Sequence, residues 1–363
     1  MSRLFEQTSI GKLNVPNRFV RSATWEGLAT DSGASTSRLS DLMAELARGG
    51  VGLIISSHAY VSPEGQAGPW QLGIYSDELL PGLREMADNV HEAGGKIVAQ
   101  LAHAGCRAAT DLSGQPAIGP SEENGCRAMS RDAIHRVVDA FTQAAVRAKK
   151  AGLDGVQIHG AHGYLLSQFL SPHFNRREDE YGGSVPDRSR IVLEILERIK
   201  KEAGQDFPTL IKINSEDFLE GGLSQEDMLQ ICELLQEHGI DAIEMSGGTG
   251  DSGKWIPSRK TPIHSRQDEV YYRSAAKRYK ERLRAPLILV GGIRSYEAAS
   301  EVVEQGLADL VAFSRPLIRE PGLVRRWESG DTAPSACEND NLCFKPILNG
   351  EGIDCYRLRQ EAQ

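Results

Sequence analysis

The stretch that decides the fold is RDAIHRVVDAFTQAAVRAKKAGLDGVQIH, residues 131–159. Its first part, residues 131–151, carries apolar side chains at helical spacing, and Gly152 follows as a helix-ending signal. Residues 155–159 then form a short, largely apolar run, as expected for a parallel strand that is covered on both faces. The stretch therefore predicts a helix that leads into a buried parallel strand.

The same unit recurs along the chain. Amphipathic patterns such as residues 188–203 separate short apolar runs, which span residues 19–24, 51–56, 96–103, 155–159, 210–214, 242–246, 287–290 and 310–313. Eight strands that alternate with helices predict an α/β fold, a (β/α)8 TIM barrel, over residues 1–330. A doubly wound open sheet is the alternative, but no Gly-x-Gly-x-x-Gly opens the first unit. Residues 331–363 are then a C-terminal extension.

The composition limits the classes of function. A net charge of −9 and the lack of a long basic block argue against nucleic-acid binding. No apolar run is long enough to span a membrane, and the N-terminal residues lack the apolar segment of a secretory signal. We therefore expect a cytoplasmic protein with a small-molecule partner, and homo-oligomerisation stays open. In that compartment the 6 cysteines are not expected to form disulfides.

The site of a TIM barrel lies at the C-terminal ends of its strands, and polar residues follow several predicted strands there. Gly291 and Gly292, after the seventh run, let the backbone approach an anion closely, and Arg315, after the eighth, can pair with it. Together with Ser314 they predict a phosphate site. The alternative is a pair of turn glycines and a surface arginine.

Two polar residues near the ends of other runs suit an electron-accepting ring. Gln100 offers both a hydrogen-bond donor and an acceptor, which fits the edge of a pyrimidine-like ring, although an ordinary polar residue closing a strand is the alternative. Lys212 is compatible with a lysine at the rim, with a fixed cation beside such a ring, or with a Schiff-base lysine.

The segment His159-Gly160-Ala161-His162-Gly163-Tyr164 is the most informative for chemistry. Two histidines three apart could bind zinc, but zinc needs a third ligand and none is obvious, so we expect no metal. They could instead hold a carbonyl or nitro oxygen while the hydroxyl of Tyr164 supplies a proton. Histidines with a purely structural role are the alternative.

These motifs resemble the Old Yellow Enzyme family of FMN-dependent ene-reductases, in its single-domain form, along nearly the whole chain. The resemblance rests on residues 17–19 (NRF), 49–55 (GGVGLII), 100–105 (QLAHAG), 159–165 (HGAHGYL) and 168–184 (QFLSPHFNRREDEYGGS). It implies an NAD(P)H-dependent flavin oxidoreductase. Hydride from NADH or NADPH would pass through N5 of FMN to the activated C=C bond of an enone, nitroalkene or maleimide, or to a quinone.

The resemblance also implies roles for individual residues. His159 and His162 match the pair that binds the acceptor's electron-withdrawing group, and Tyr164 matches the proton donor. The positions that match the family's FMN site are Ala23, Thr24, Trp25, His58, Gln100, Lys212, Gly291, Gly292, Ser314 and Arg315. Two rivals remain: a barrel lyase that uses Lys212 as a Schiff base, and a flavin-binding redox sensor without enzymatic activity.

The chain departs from the family pattern at three places. Trp25 stands where a small Thr or Cys usually tunes the flavin, and Ala23 stands where Pro is frequent. The extension keeps part of the iron–sulfur motif of larger, multidomain relatives, with Cys337, Cys343 and Cys355, but has Asp340 at the remaining position. Because a four-cysteine cluster is not available, we expect none to be bound.

Overall fold

The chain folds into a closed barrel of eight parallel strands, which confirms the predicted (β/α)8 architecture. The computed structural model describes residues 2–260 and 262–361. The barrel strands are β1 (Phe19–Arg21), β2 (Leu53–Tyr60), β3 (Lys96–Ala102), β4 (Gly155–Gly160), β5 (Thr209–Asn214), β6 (Ala242–Ser246), β7 (Leu287–Val290) and β8 (Leu310–Phe313). Each strand pairs with the next in sequence, and β8 pairs with β1 with Phe313 opposite Arg21, which closes the barrel.

A helix follows every barrel strand and covers its outer face. These helices are α1 (Ser37–Arg48), α2 (Leu80–Glu92), α3 (Arg131–Lys150), α4 (Val185–Glu202), α5 (Gln225–Glu237), α6 (Arg273–Arg282), α7 (Tyr296–Glu304) and α8 (Leu323–Glu328). Several begin at a side chain that accepts a backbone N–H, such as Thr36 before α1 and Ser130 before α3. Before α5, Ser224 and Asp227 form a reciprocal capping box. These caps satisfy N–H groups that the first helical turn leaves unpaired.

Apolar residues form two layers around the strands. The outer layer lies between strands and helices, whereas the inner layer fills the barrel with residues such as Val20, Leu210 and Leu310. A short hairpin, Thr8–Ile10 with Leu13–Val15, packs its buried side chains into that inner layer. The hairpin therefore fills one end of the barrel, and the opposite end is left for the site. The sequence analysis did not predict this hairpin.

Some strand bounds differ from the prediction. β1 ends at Arg21, so Thr24 lies in a loop, and β3 ends at Ala102, so His103 lies just beyond it. β2 runs on to Tyr60 through a register shift, which places His58 inside the strand. An apolar run predicts that a strand is buried, but it does not predict the residue at which the strand ends, because hydrogen bonding to the neighbouring strands decides where pairing stops.

The expectation that no disulfide forms was wrong. Cys106 and Cys126 are bonded, and both lie in the long connection between β3 and α3. The expectation rested on the redox state of a compartment, which says nothing about which loop cysteines the fold brings together. Here the bond joins two ends of one loop across 20 residues of sequence.

The C-terminal extension packs against the barrel. Its apolar side chains Ile347 and Ile353 form a small cluster with Cys343, against which Trp25 and Phe344 pack. A last helix spans Tyr356–Glu361. Among residues 2–260 and 262–361, no helix is both long enough and apolar enough to cross a membrane.

Candidate active site

A cavity of about 460 Å³ lies at the C-terminal ends of the strands. Every residue that the sequence analysis assigned to the site lines it. These residues are Ala23, Thr24, Trp25, His58, Gln100, His159, His162, Tyr164, Lys212, Gly291, Gly292, Ser314 and Arg315. Strand ends far apart in sequence thus contribute to one site, as the closure of a parallel barrel requires.

Three aromatic side chains meet where β4 ends. The ring of His159 lies edge-on to those of His162 and Tyr164, with centroids 5.2 Å away in each case. His162 has a positive φ of 67°, and its backbone N–H donates to Oδ1 of Asn214. Its Nε2 lies 2.8 Å from Oγ of Ser246 at the end of β6. Nδ1 of His159 is buried and has no hydrogen-bond partner among the described residues. A buried polar atom without a partner calls for an explanation, and a bound ligand or a water molecule would supply one.

Burial decides the protonation of these groups. Desolvation, reinforced by the charge of Lys212, lowers the pKa values of both His159 and His162 well below the usual 6.5. The same causes lower the pKa of His58 to about 4. Desolvation raises the pKa of Tyr164 to about 12. At neutral pH the histidines are therefore uncharged and the tyrosine keeps its proton.

Lys212 is not a rim residue. Its side chain is buried, and Nζ donates to Oγ of Ser22 at 2.8 Å and lies 3.2 Å from Oε1 of Glu244. Gln100 is held in a similar way: its Nε2 donates to Oε1 of Gln157 at 2.7 Å. Both side chains therefore reach the cavity from a buried polar network.

The β7 end of the cavity has no room for side chains on its two glycines. Gly291 and Gly292 have φ values of 121° and 73°. A Cβ on Gly291 would lie 2.7 Å from the ring of Tyr272, and one on Gly292 would lie 2.4 Å from the ring of Tyr271. The backbone is thus open to the cavity here, as a phosphate cradle requires.

Arg315 begins a short helix, Arg315–Arg319, directly after β8. Its Nη1 donates to the backbone oxygens of Arg259 and Asn339 and to Oδ1 of Asn341, at 2.8, 3.2 and 2.7 Å. The guanidinium is therefore fixed in the cavity wall, and the alternative of a surface arginine is wrong. The hydroxyls of Ser314 and Thr24 lie 2.7 Å apart, which links the first and last loops of the barrel.

Trp25 takes part in both the cavity and the extension. It lines the cavity and packs against the cluster that contains Ile347. Its indole Nε1 is buried and has no partner in the part of the chain that the structure describes. The large indole ring occupies space in the cavity wall that a smaller side chain would leave open. Its N–H group makes no hydrogen bond to the described residues.

Several lining residues were not predicted. Ser246 ends β6 and could have been found by the strand-end rule that identified Lys212. Tyr271 and Tyr272 lie in the connection after β6, and Asn339 lies in the extension. Only the folded chain brings these loop residues to the cavity, because no periodic pattern marks them.

Cys337, Cys343 and Cys355 of the extension are free cysteines. No group of three or more His, Cys, Asp or Glu side chains in residues 2–260 and 262–361 is arranged to hold a metal ion. Oδ2 of Asp340 instead accepts from Nε of Arg357 at 2.9 Å, and Nη1 of Arg319 lies 3.7 Å from Sγ of Cys355. Asp340 is thus engaged by Arg357, and a set of four cysteine ligands is not available in the motif.

The sequence of the chain is similar to a family model and to known proteins. Residues 3–333 match the model of the NADH:flavin oxidoreductase / NADH oxidase family. NADH oxidase of Thermoanaerobacter brockii is 37% identical over 336 residues, which are 90% of this chain and 51% of the relative. NADPH dehydrogenase of Bacillus subtilis is 33% identical over 330 residues, which are 89% of this chain and 93% of the relative.

The fold of the chain is also similar to that of a solved structure. The old yellow enzyme homologue from Zymomonas mobilis is similar with a TM-score of 0.78 and 28% identity, over 93% of this chain and 95% of that one. The chain covers nearly all of this homologue, whereas it spans about half the length of the NADH oxidase.

Proposed function

Because the chain belongs to the NADH:flavin oxidoreductase / NADH oxidase family, the Old Yellow Enzyme family, we propose that it uses FMN and NADH or NADPH to reduce an activated C=C bond. The acceptor is a small electrophilic alkene, such as an enone, nitroalkene or maleimide, or a quinone. The observation that carries this proposal is the convergence of His159, His162 and Tyr164 on one wall of the cavity.

The residues present fit FMN. Gly291 and Gly292 leave the backbone open where a Cβ would clash, and Arg315, which lines the same cavity, supplies a fixed cation for a phosphate. Gln100 and Lys212 would hold the polar edge of the ring system. When bound, FMN supplies hydride transfer between a nicotinamide and the acceptor, a chemistry that protein side chains lack.

His159 and His162 bind and orient the acceptor in this proposal. Both imidazoles are uncharged at neutral pH, because burial lowers their pKa values, so each has one N–H to donate. Hydrogen bonds from both rings to one acceptor oxygen would polarise the conjugated C=C bond. The unpartnered Nδ1 of His159 supports this role.

Tyr164 supplies the proton. Its hydroxyl keeps its proton at neutral pH, since burial raises its pKa to about 12. The ring of Tyr164 lies edge-on to that of His159, and both residues line the cavity, so the proton donor and the group that would orient the acceptor share one wall. A proton held beside the α-carbon completes the reduction of the bond.

The test separates the two halves of the reaction. Tyr164→Phe should bind FMN and be reduced by the nicotinamide as fast as wild type, but should reduce an enone roughly 10²–10⁴-fold more slowly. Tyr75→Phe is the control, because Tyr75 lies outside the cavity and its hydroxyl donates to the backbone oxygen of Ser32. Equal losses in both half-reactions would rule out proton donation by Tyr164.

The same preparations distinguish the rival functions. A colourless protein that borohydride traps with a carbonyl compound would indicate a Schiff-base lyase. The contacts of Lys212 with Ser22 and Glu244 do not favour that rival. A yellow protein that no acceptor reoxidises would indicate a redox sensor.

We also propose that the barrel, residues 1–330, and the extension, residues 331–363, act as one functional unit. Cys337, Asn339 and Phe344 of the extension line the cavity. The extension also supplies Asn341, whose side chain accepts a hydrogen bond from Arg315. Removing it would therefore open the proposed phosphate site.

A further inference from the structure

A carboxylate lies beneath the cavity, one layer deeper in the barrel. Glu244 stands in the middle of β6, two residues before Ser246, and its side chain is fully buried. Since alternate residues of a strand share a face, Glu244 lies on the same inner face as Ser246, which lines the cavity. Glu244 itself does not line it. Burying an ionised carboxylate costs free energy unless charged or polar groups compensate for the lost hydration. The partners of Glu244 therefore indicate its role.

The two carboxylate oxygens lead to two different cavity residues. Oε1 lies 3.2 Å from Nζ of Lys212, which stands opposite Glu244 in the register of β5 and β6. Oε2 accepts from Nε2 of Gln157 at 2.8 Å, and Oε1 of Gln157 accepts from Nε2 of Gln100 at 2.7 Å. Gln157 is also fully buried. One carboxylate is thus connected to both polar side chains that we assign to the ring edge of FMN.

The carboxylate fixes the polarity of the amide chain. An ionised carboxylate only accepts hydrogen bonds, so Gln157 must turn its NH2 group to Glu244 and its oxygen to Gln100. Gln100 must then use one N–H for Gln157, which leaves its carbonyl oxygen and its second N–H for the cavity. Without Glu244 both amides could rotate by half a turn, since nothing else in this chain of contacts distinguishes oxygen from nitrogen.

The carboxylate also offsets the charge of Lys212. Four basic groups face this lysine from neighbouring strands and loops, namely Arg21, His58, His159 and His162. Of these four, Arg21 carries a positive charge at neutral pH, whereas the buried histidines are uncharged. Burial and Arg21 lower the pKa of Lys212, and Glu244 raises it. Glu26 cannot replace Glu244, because it is engaged by Arg21 and Ser57.

We propose that Glu244 is a positioning residue of the flavin site, which holds Lys212 as a cation and orients the amide of Gln100 towards the cofactor. This inference rests on the proposed function, because it requires FMN in the cavity. Glu244 touches neither the acceptor nor the reacting atoms in this arrangement; it acts through Lys212 and Gln100.

The experiment compares wild type with Glu244→Gln and with a matched control, Asp241→Asn. Asp241 also pairs with a buried lysine, Lys200, but it lies just before β6, at the end away from the cavity, and it accepts from the backbone N–H of Thr209. FMN affinity is measured by quenching of flavin fluorescence, and the midpoint potential of bound FMN is measured between pH 6 and 9.

Glu244→Gln should raise the Kd for FMN by about tenfold or more, because a charge-assisted contact is lost. In this variant the plot of midpoint potential against pH should also show an inflection at the pH where Lys212 loses its proton. Wild type should show no such inflection. Asp241→Asn should unfold more easily but keep the Kd and the pH dependence of wild type. A Glu244→Gln protein that matches Asp241→Asn in both readouts overturns the proposal.

A second variant covers the case in which Glu244→Gln does not fold. Gln157→Leu keeps the contact of Lys212 with Oε1 of Glu244, while it frees Gln100 and removes the amide that donates to Oε2 of Glu244. It should raise the Kd for FMN and shift the visible absorption of the bound flavin without the pH inflection, and an unchanged Kd and spectrum would overturn the role in orienting Gln100. Failure of wild type to bind FMN would instead contradict the proposed function.

Discussion

Replacing Gly292 by alanine tests whether the β7 loop is built to keep its backbone open. Gly292 has a φ of 73°, and a Cβ there would lie 2.4 Å from Cε1 of Tyr271. The ring cannot move freely, because its hydroxyl accepts from Nδ2 of Asn339 at 2.9 Å. The substitution thus combines backbone strain, a steric clash and the loss of a hydrogen bond.

The size of the effect follows from these three contributions. A left-handed backbone costs a non-glycine residue roughly 1–2 kcal/mol. Overpacking typically adds about 1–3 kcal/mol, and the lost hydrogen bond adds about 0.5–1.5 kcal/mol. We expect Gly292→Ala to lower the free energy of unfolding by about 3–6 kcal/mol in total.

Gly306→Ala isolates the backbone strain. Gly306 has a similar φ of 68°, but nothing lies within 4 Å of an added Cβ. It follows α7 and does not line the cavity. We therefore expect this variant to lose only about 1–2 kcal/mol.

Urea unfolding of the flavin-free proteins measures the stabilities, and fluorescence quenching measures the Kd for FMN. Because Gly292 lines the cavity and Gly306 does not, only Gly292→Ala should weaken FMN binding, by about tenfold or more. Two variants that are equally destabilised within about 0.5 kcal/mol would refute the reasoning, because the clash with Tyr271 would then have no cost.

The remaining predictions concern the histidines and the extension. Replacing His159 and His162 together by alanine should weaken the binding free energy of phenolate ligands by about 1.5–3 kcal/mol per lost hydrogen bond. An unchanged affinity in a binding titration would contradict the role of the two histidines in binding the acceptor oxygen. Burial lowers the pKa of His103 from 6.5 to about 4. As the pH drops below 6.5, His103 is therefore protonated in the unfolded chain before it is protonated in the folded one, and the free energy of unfolding falls. Urea unfolding at about pH 7.5 and 5 should show a loss of about 2 kcal/mol from this group, which His103→Gln should abolish. Anaerobically purified protein should contain FMN without stoichiometric iron or sulfide, because Asp340 pairs with Arg357, and about four irons per chain would show that this expectation is wrong.

Local patterns determined much of this protein. The period of the apolar residues in 131–159 and its recurrence indicated eight parallel strands buried on both faces, and the count of eight favoured a closed barrel over an open sheet. Part of the cavity lining was also predictable, since polar side chains at the C-terminal ends of barrel strands must converge once the barrel closes. Gly291, Gly292 and Arg315 were found in this way.

Other features depend on contacts between distant segments, which no local pattern encodes. The partners of Lys212 come from the loop after β1 and from β6, so its burial and its contact with Glu244 could not be read from the run that contains it. The disulfide between Cys106 and Cys126 depends on the path of one loop, and the cavity contacts of Tyr271 and Asn339 depend on how a loop and the extension fold back. Periodicity reports which face of an element is buried, whereas the partner of a buried polar group is decided only when the elements pack together.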